Sequence, residues 1–325
     1  MSVPVDLLAS VPLLAGCSQT DLEALAARLT PRRTSAGDHV MREHEPAHDF
    51  VVLLRGEARV ERDGHLLTVV RPGALLGELA LLRGATRNAD VIATEPCELA
   101  VGDEADLDHL LQLPGTHDAM RALASARLAE DVTPVPVALA GGLQAVLRPL
   151  LPSDRDGYTS ALAHMSPASL RHRFFTSGQP TERLVDYLLH IDYVDHFVWL
   201  VVVDEIGVAA GRYIRTHSGS DEAEVAFGVV DEYQGVGIGR LLVGAVGVAA
   251  REAHVSHLTA TVMSDNEPMR ALFRKAGATF AFLEPGVVGA ALAPEGAIAL
   301  VDASLREALS AASRDVVTAA GLALT

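Results

Sequence analysis

Lysine is almost missing from this chain. Lys275 is the only one in 325 residues, and the rest of the 26 basic side chains are arginines. Codon usage in a GC-rich genome accounts for such a bias, and also for the abundance of Ala, Val and Gly. Positive charge as a whole is scarce: 26 Lys and Arg stand against 42 Asp and Glu, a formal net charge of −16. That balance speaks against nucleic-acid binding, which rests on clustered cations facing the phosphate backbone. An anionic membrane surface is disfavoured for the same reason. Cysteine is limited to Cys17 and Cys97, without a CxxC spacing. This excludes a thiolate metal cage and fits a reducing, cytoplasmic setting. No apolar run is long enough for a membrane span, since residues 132–147 are interrupted by Pro134, Pro136, Gly141 and Gly142. With Asp6 and no basic stretch at the start, no secretory signal is expected.

Hydrophobic residues make up 49% and charged residues 21%, enough apolar material for a sizeable core. The length predicts two domains. Ser18 with Asp21, before Leu22, Leu25, Ala26 and Leu29, predicts a capped helix. From Arg32 to about Val101, short apolar or alternating runs broken by Asp63-Gly64, Pro72-Gly73 and Gly84 predict a small antiparallel β-barrel. Two helices separated by Pro114 follow. Residues 132–143, with two prolines and paired glycines, read as a linker. Strands and helices then alternate: strands at 145–147, 197–203, 208–214, 222–230, 258–263 and 279–283, and helices over 154–191, 239–252 and 267–276. The expected fold is therefore α+β and α/β in two domains, a small barrel with flanking helices over residues 1–131 and a mixed α/β domain over 144–303. An Ala-rich helical tail occupies 304–325.

The first chemical site is Gly77-Glu78-Leu79-Ala80-Leu81 with Arg87-Asn88-Ala89. A glycine ahead of a short helical turn presents backbone amides to an anion. Glu78 can accept from a ribose hydroxyl, and Arg87 offers a planar fork to a phosphate. The segment resembles the phosphate-binding cassette of cyclic nucleotide-binding domains over about Leu7 to Glu130, and Asp49 with Gly56-Glu57 fits that family's upstream turn. In the family a Ser or Thr after the arginine favours cyclic GMP; the corresponding place here holds Asp90, which implies cyclic AMP. The base contact then falls to the trailing helix, with Arg127 as its candidate. His44-Glu45-Pro46-Ala47-His48 spells a zinc-protease string, but Pro46 prevents the continuous helix that motif needs, so no metal is expected. A DNA-binding partner domain is also excluded, because the second half carries no basic recognition helix.

The second site is Gln234-Gly235-Val236-Gly237-Ile238-Gly239, between a strand and a helix. Glycines there let amides approach a pyrophosphate, and the helix dipole adds positive potential. Arg240 stands where a dinucleotide fingerprint needs its third glycine. With Glu224-Val225-Ala226-Phe227-Gly228-Val229-Val230 before it, and Asn266 and Leu272-Phe273-Arg274-Lys275-x-Gly277 after it, the segment resembles the GNAT acyltransferases over about residues 144–301. The resemblance implies acetyl-CoA held by the 234–240 loop, by the backbone of Phe227, Gly228 and Val229, and by Asn266 and Lys275. An amine acceptor must lose a proton before it attacks a thioester. Glu224 is the candidate base, on the same strand face as Ala226 and Gly228, with Glu222 as the alternative. Phe273 replaces the tyrosine that many relatives use as general acid.

Together the halves resemble the cyclic-AMP-responsive protein lysine acetyltransferases of mycobacteria and related actinobacteria. The implied partners are proteins bearing a target lysine, acetyl-CoA synthetases and related enzymes among them, and an enzyme that modifies lysines benefits from having few of its own. A cyclic nucleotide sensor with a degenerate acyltransferase domain, or an acetyltransferase of small-molecule amines, remains an alternative. The polar stretch 154–191 reads as a lid, with His164 as the residue expected to plug the acceptor channel when cyclic AMP is absent; His172 is the second candidate.

Overall fold

In a computed structural model, which describes residues 2–317 apart from the side chain at position 315, the chain divides into two compact units. The division falls between Arg121 and Ala122, inside the helix Thr116–Glu130, and not after residue 131.

The first unit opens with the expected helix, Gln19–Arg28. Ser18 accepts from the Asp21 amide and the Asp21 carboxylate accepts from the Ser18 amide, a reciprocal cap. Eight strands follow: β1 Thr30–Thr34, β2 His39–Met41, β3 Phe50–Arg55, β4 Ala58–Arg62, β5 His65–Val70, β6 Leu75–Leu76, β7 Asp90–Ala93 and β8 Cys97–Gly102. They form two antiparallel sheets, ordered β1-β8-β3-β6 and β2-β7-β4-β5. Val51, Leu53, Leu76 and Leu99 from one sheet meet Met41, Ala58, Val91 and Ala93 from the other in a single buried cluster. This is the expected small barrel. Pro114 separates the helices Glu104–Leu111 and Thr116–Glu130, as expected. The zinc-protease string forms no helix; His44 sits at φ 65° and Pro46 bridges to Thr86.

The second unit is built on one eight-stranded sheet: β9 Val135–Ala138, β10 Gln144–Pro149, β11 His196–Val203, β12 Ile206–Arg215, β13 Glu222–Val229, β14 His257–Met263, β15 Thr279–Glu284 and β16 Val287–Leu292. Their order is β15-β16-β14-β13-β12-β11-β10-β9. Only β13 and β14 are parallel. Two sequence expectations are corrected here. Residues 132–143 are not a free linker, because β9 pairs with β10 from Val135↔Leu147 to Ala138↔Gln144, and a proline at an edge strand costs the ladder little. A further strand, β16, lies in a run of small residues that shows no alternation. The tail begins as the expected helix. Its helix, Ala303–Val317, docks on the helix Ile238–Glu252, where Ser310 and Arg314 bind the Glu252 carboxylate at 2.5 and 2.9 Å. Residues 318–325 of that tail lie outside the described residues.

Few aromatic residues exist, and several concentrate in this core. Phe197 meets the Trp199 ring edge-on at 5.2 Å and stacks on Tyr213 at 5.9 Å. The Trp199 indole donates to the Ala245 carbonyl at 2.9 Å, which ties the sheet to the helix Ile238–Glu252. No described helix is long and apolar enough to cross a membrane.

Candidate functional site: an acyl-transfer cleft and an anion cassette

The geometry of the larger site follows from the one parallel contact in the sheet. The β13–β14 ladder has three pairs, Glu222↔His257, Ala223↔Leu258 and Glu224↔Thr259, and then stops. On its other edge β13 stays paired with β12 through Val229. The two parallel strands therefore part beyond Glu224, and a cleft of about 510 Å³ lies along the freed edge. Phe227, Gly228 and Val229 line it, with Gln234, Gly235, Gly239 and Asn266. Its volume is in the range of small-molecule and cofactor sites. Glu224 is exposed at the last paired position, three residues before Phe227, the first residue of β13 to line the cleft, and does not itself line it. By strand alternation it shares a face with Ala226 and Gly228. Glu222 is exposed on the same face, at the first pair and farther from the cleft.

The 234–239 loop has the conformation that its glycines predict. Gly235 and Gly237 have φ of 80° and 101°, and the helix Ile238–Glu252 starts directly behind them. A Cβ on Gly237 would meet nothing within 4 Å, so the space in front of the amides is open. Val236 is half-buried, its carbonyl accepting from the Ala140 amide at 3.1 Å, and Ile238 is buried at 1% exposure. Gln234 donates to the Val229 carbonyl and to the Ser169 hydroxyl, both at 3.1 Å, joining loop, strand and helix. Asn266 lines the cleft and also caps the helix Glu267–Lys275 through the Met269 amide at 3.3 Å. Five of the expected coenzyme positions, Val236, Gly237, Ile238, Arg240 and Lys275, do not line the cleft. Arg240 donates to the Leu300 carbonyl at 2.7 Å, and Lys275 is exposed at the end of its helix; neither lines the cavity. Phe273 is buried, its ring edge-on to Phe227 at 6.2 Å, and serves packing.

One wall of the cleft is the helix Pro167–Phe174. Ser166 caps it, and Asp231 anchors it by accepting from the Ser166 amide (2.8 Å), the Ser166 hydroxyl (2.6 Å) and the Ser169 hydroxyl (2.9 Å). Partial burial alone would raise the Asp231 pKa, but the bonds from Ser166 and Ser169 outweigh it and hold the carboxyl below its ordinary range. Near its other end, Arg171 and His172 reach Asp265 at 2.8 and 3.2 Å. The segment thus spans the cleft, as a lid would. His164 is not its plug. It caps the preceding helix, is exposed, and its Nδ1 lies 2.7 Å from its own helix's Ser160 carbonyl oxygen. Met165 and Arg173 cover Gly228 instead, their nearest side-chain atoms 3.8–3.9 Å from where its Cβ would be. Arg212 and Tyr158, which the sequence patterns do not single out, line a smaller cavity beside them; an arginine in the middle of the largely apolar strand Ile206–Arg215 is the available signal.

In the first unit, Gly77 has φ 81° and opens the helix Glu78–Leu82. A Cβ there would collide with the Arg87 guanidinium and the Met41 side chain, so only glycine fits. Arg87 is 5% exposed and donates to the Gly77 carbonyl at 2.8 Å and to the Asp49 carbonyl and carboxylate at 2.6 and 2.5 Å. Burial lowers its pKa, while Asp49 and Glu78 oppose that shift. Glu78 is fully buried, and Leu79, Ala80 and Ala89 are buried around it. Asn88 is exposed, with its carbonyl accepting from Arg62 at 2.9 Å. Asp90 accepts from the Glu43 amide at 2.9 Å. Arg127 lies in the part of the helix Thr116–Glu130 that groups with the second unit. A buried guanidinium and carboxylate beside a helix start suit a cyclic phosphate and its ribose.

A model of the cyclic nucleotide-binding domain matches residues 31–113, and one of the acetyltransferase (GNAT) domain matches residues 144–279. Acetyltransferase Pat of Mycolicibacterium smegmatis is 38% identical over 287 residues, 86% of either chain. The chain belongs to this acetyltransferase family. A solved cAMP-binding acyltransferase from Mycobacterium smegmatis is 33% identical, with 97% of each chain covered and a TM-score of 0.50. The first unit alone is similar to a cAMP-dependent protein kinase regulatory subunit of Schizosaccharomyces pombe, 31% identical over 126 residues, 38% of this chain and 30% of that protein. This acetyltransferase therefore carries a cyclic nucleotide-binding domain ahead of its GNAT domain.

Proposed function

We propose that the protein transfers an acetyl group from acetyl-CoA to lysine side chains of other proteins under the control of cyclic AMP, with Glu224 as general base. The observation that carries this reading is that Glu224 stands at the last pair of the β13–β14 ladder, three residues before Phe227, where β13 begins to line the open cleft. The strand edge at Phe227–Val229 and the amides of the Gly235–Gly239 turn suit a pantetheine arm and a pyrophosphate. Glu224 takes a proton from the lysine ammonium, the neutral nitrogen attacks the thioester carbonyl, and the carbon–sulfur bond breaks to release the thiolate, with the second nitrogen proton passing to the thiolate or to water. A CoA thiolate is a tolerable leaving group, so Phe273 in place of a general acid is no obstacle. Arg87, Glu78 and the Gly77 turn suit the cyclic phosphate and ribose of the regulatory nucleotide. Acetyl-CoA synthetase and related acyl-adenylating enzymes are the proposed acceptors.

The experiment is incubation of the full chain with labelled acetyl-CoA and acetyl-CoA synthetase, with and without cyclic AMP, followed by mapping of the labelled residue. Label on a lysine, faster with cyclic AMP, supports the reading. Label on a small amine but on no protein would transfer the activity to small-molecule acceptors.

A further inference from the structure

Behind Gly228 lies a second, smaller cavity, between strands β11–β13 and the two helices Arg155–Ala163 and Pro167–Phe174. Gly228, Met165 and Arg173 line both cavities, so the two adjoin at the strand edge suited to the thioester. The smaller one, about 30 Å³, has room for about two water-sized groups, the size of a carboxylate.

Its polar lining is cationic. Arg212 is 1% exposed and donates to the Tyr158 hydroxyl at 2.7 Å and the Leu188 carbonyl at 2.8 Å; its Nη1 is 3.0 Å from His196 Nε2. None of these partners is anionic. Burial and Arg212 itself push the His196 pKa down to about 3, so the imidazole stays neutral. Arg173 lies over the Phe174 ring at 4.7 Å, and among the described residues it has no hydrogen bond or ion pair. Burial and Arg212 lower its pKa to about 10; Tyr158 and Glu224 act in the opposite direction. Glu224 is exposed and lines neither cavity. Two guanidinium groups around one small space, without an acid in its lining, disfavour each other until an anion joins them. A lysine ammonium would meet the same repulsion, so this cavity is not the end of an acceptor channel.

We propose that the cavity is a carboxylate subsite at the acyl end of the cleft, and that the domain takes acyl-CoA thioesters with a terminal carboxylate, the malonyl and succinyl class, as well as acetyl-CoA. Arg173 supplies the fork to that carboxylate, and Arg212 with Tyr158 forms the wall behind it. The transfer is otherwise unchanged. The acceptor nitrogen bonds to the acyl carbon, the carbon–sulfur bond breaks, the proton leaves through Glu224, and the distal carboxylate takes no part. A modified lysine would change from positive to negative rather than to neutral.

The proposal rests on the acyl-CoA reading of the larger cleft, and calorimetry on the full chain separates the two. Acetyl-, butyryl-, malonyl- and succinyl-CoA and free malonate are titrated in turn. Malonyl- or succinyl-CoA should bind at least about tenfold more tightly than butyryl-CoA, whose chain is of similar length and uncharged. In Arg173→Met the ratio should fall close to one, and Arg173→Lys should restore part of it. A wild-type protein that binds acetyl-CoA but does not prefer the carboxylated thioesters overturns the subsite, and that result needs no variant. Competition by free malonate that leaves acyl-CoA preference flat would assign the cavity to a free anion, against the proposal. Failure of every thioester to bind contradicts the coenzyme reading, and the proposal falls with it.

Discussion

In the proposed reaction Glu224 is the base and Gly237 shapes the coenzyme loop, and each role can be tested by one substitution. Glu224→Gln keeps the shape of the side chain and removes its basicity, so kcat should fall about 100-fold while the KM for acetyl-CoA changes little. Steady-state kinetics on a protein acceptor reads both, and near-normal turnover would pass the role to Glu222 or to water. Gly237→Asp forces a side chain onto a backbone with φ 101° and places a negative charge in the open space before the loop amides. Acetyl-CoA affinity measured by calorimetry should drop at least about tenfold, with the melting of the first unit unaltered. The strand position of Glu224 and the left-handed turn at Gly237 are legible in the sequence because strand alternation and a Gly-rich turn are local properties. Nothing local reveals that the Leu300 carbonyl captures Arg240 or that Lys275 stands exposed at the end of its helix.

At the scale of elements, the decisive feature is a helix tied at both ends across a cleft. Ser166 before Pro167 announces its start in the sequence. Its docking does not, because Asp231 lies 65 residues away and enters only through the fold. The same limit explains His164. A cap residue beside a lid was expected in the channel, but its ring turns back to its own helix and the side chains one residue and nine residues later cover Gly228. The missed strands have a physical reason as well. Val287–Leu292 contains Gly289, Ala290 and Ala291 and lacks alternation, and Val135–Ala138 contains a proline that an edge strand tolerates. Two pH dependences follow. The Asp231 pKa lies below its unfolded value, so its stabilising contribution is present above about pH 4 and is lost on further acidification. Asp231→Asn should therefore lower the urea midpoint at pH 7 and narrow that difference near pH 3. For His196 the folded value of about 3 lies below an unfolded value of about 6.5, so stability falls as pH drops through that window. One proton gives a slope of up to about 1.4 kcal/mol per pH unit. His196→Gln should flatten the denaturation curve between those two values, and an unchanged slope would contradict a buried neutral imidazole.

For the whole molecule, the account joins a nucleotide sensor to a transferase, and Arg87 is where that link can be cut. Its guanidinium is already buried against Asp49 and the Gly77 carbonyl, so a cyclic phosphate finds a cation held in place. Coupling between such sites is typically about 1–3 kcal/mol, or roughly 5- to 150-fold in an equilibrium. The most direct measurement is the initial rate of lysine acetylation on acetyl-CoA synthetase as cyclic AMP is raised, for wild type and for Arg87→Ala. The account predicts at least about a fivefold rise in the wild type and a flat response in Arg87→Ala. A wild-type rate that ignores cyclic AMP, or an Arg87→Ala protein that still responds to it, would contradict the account.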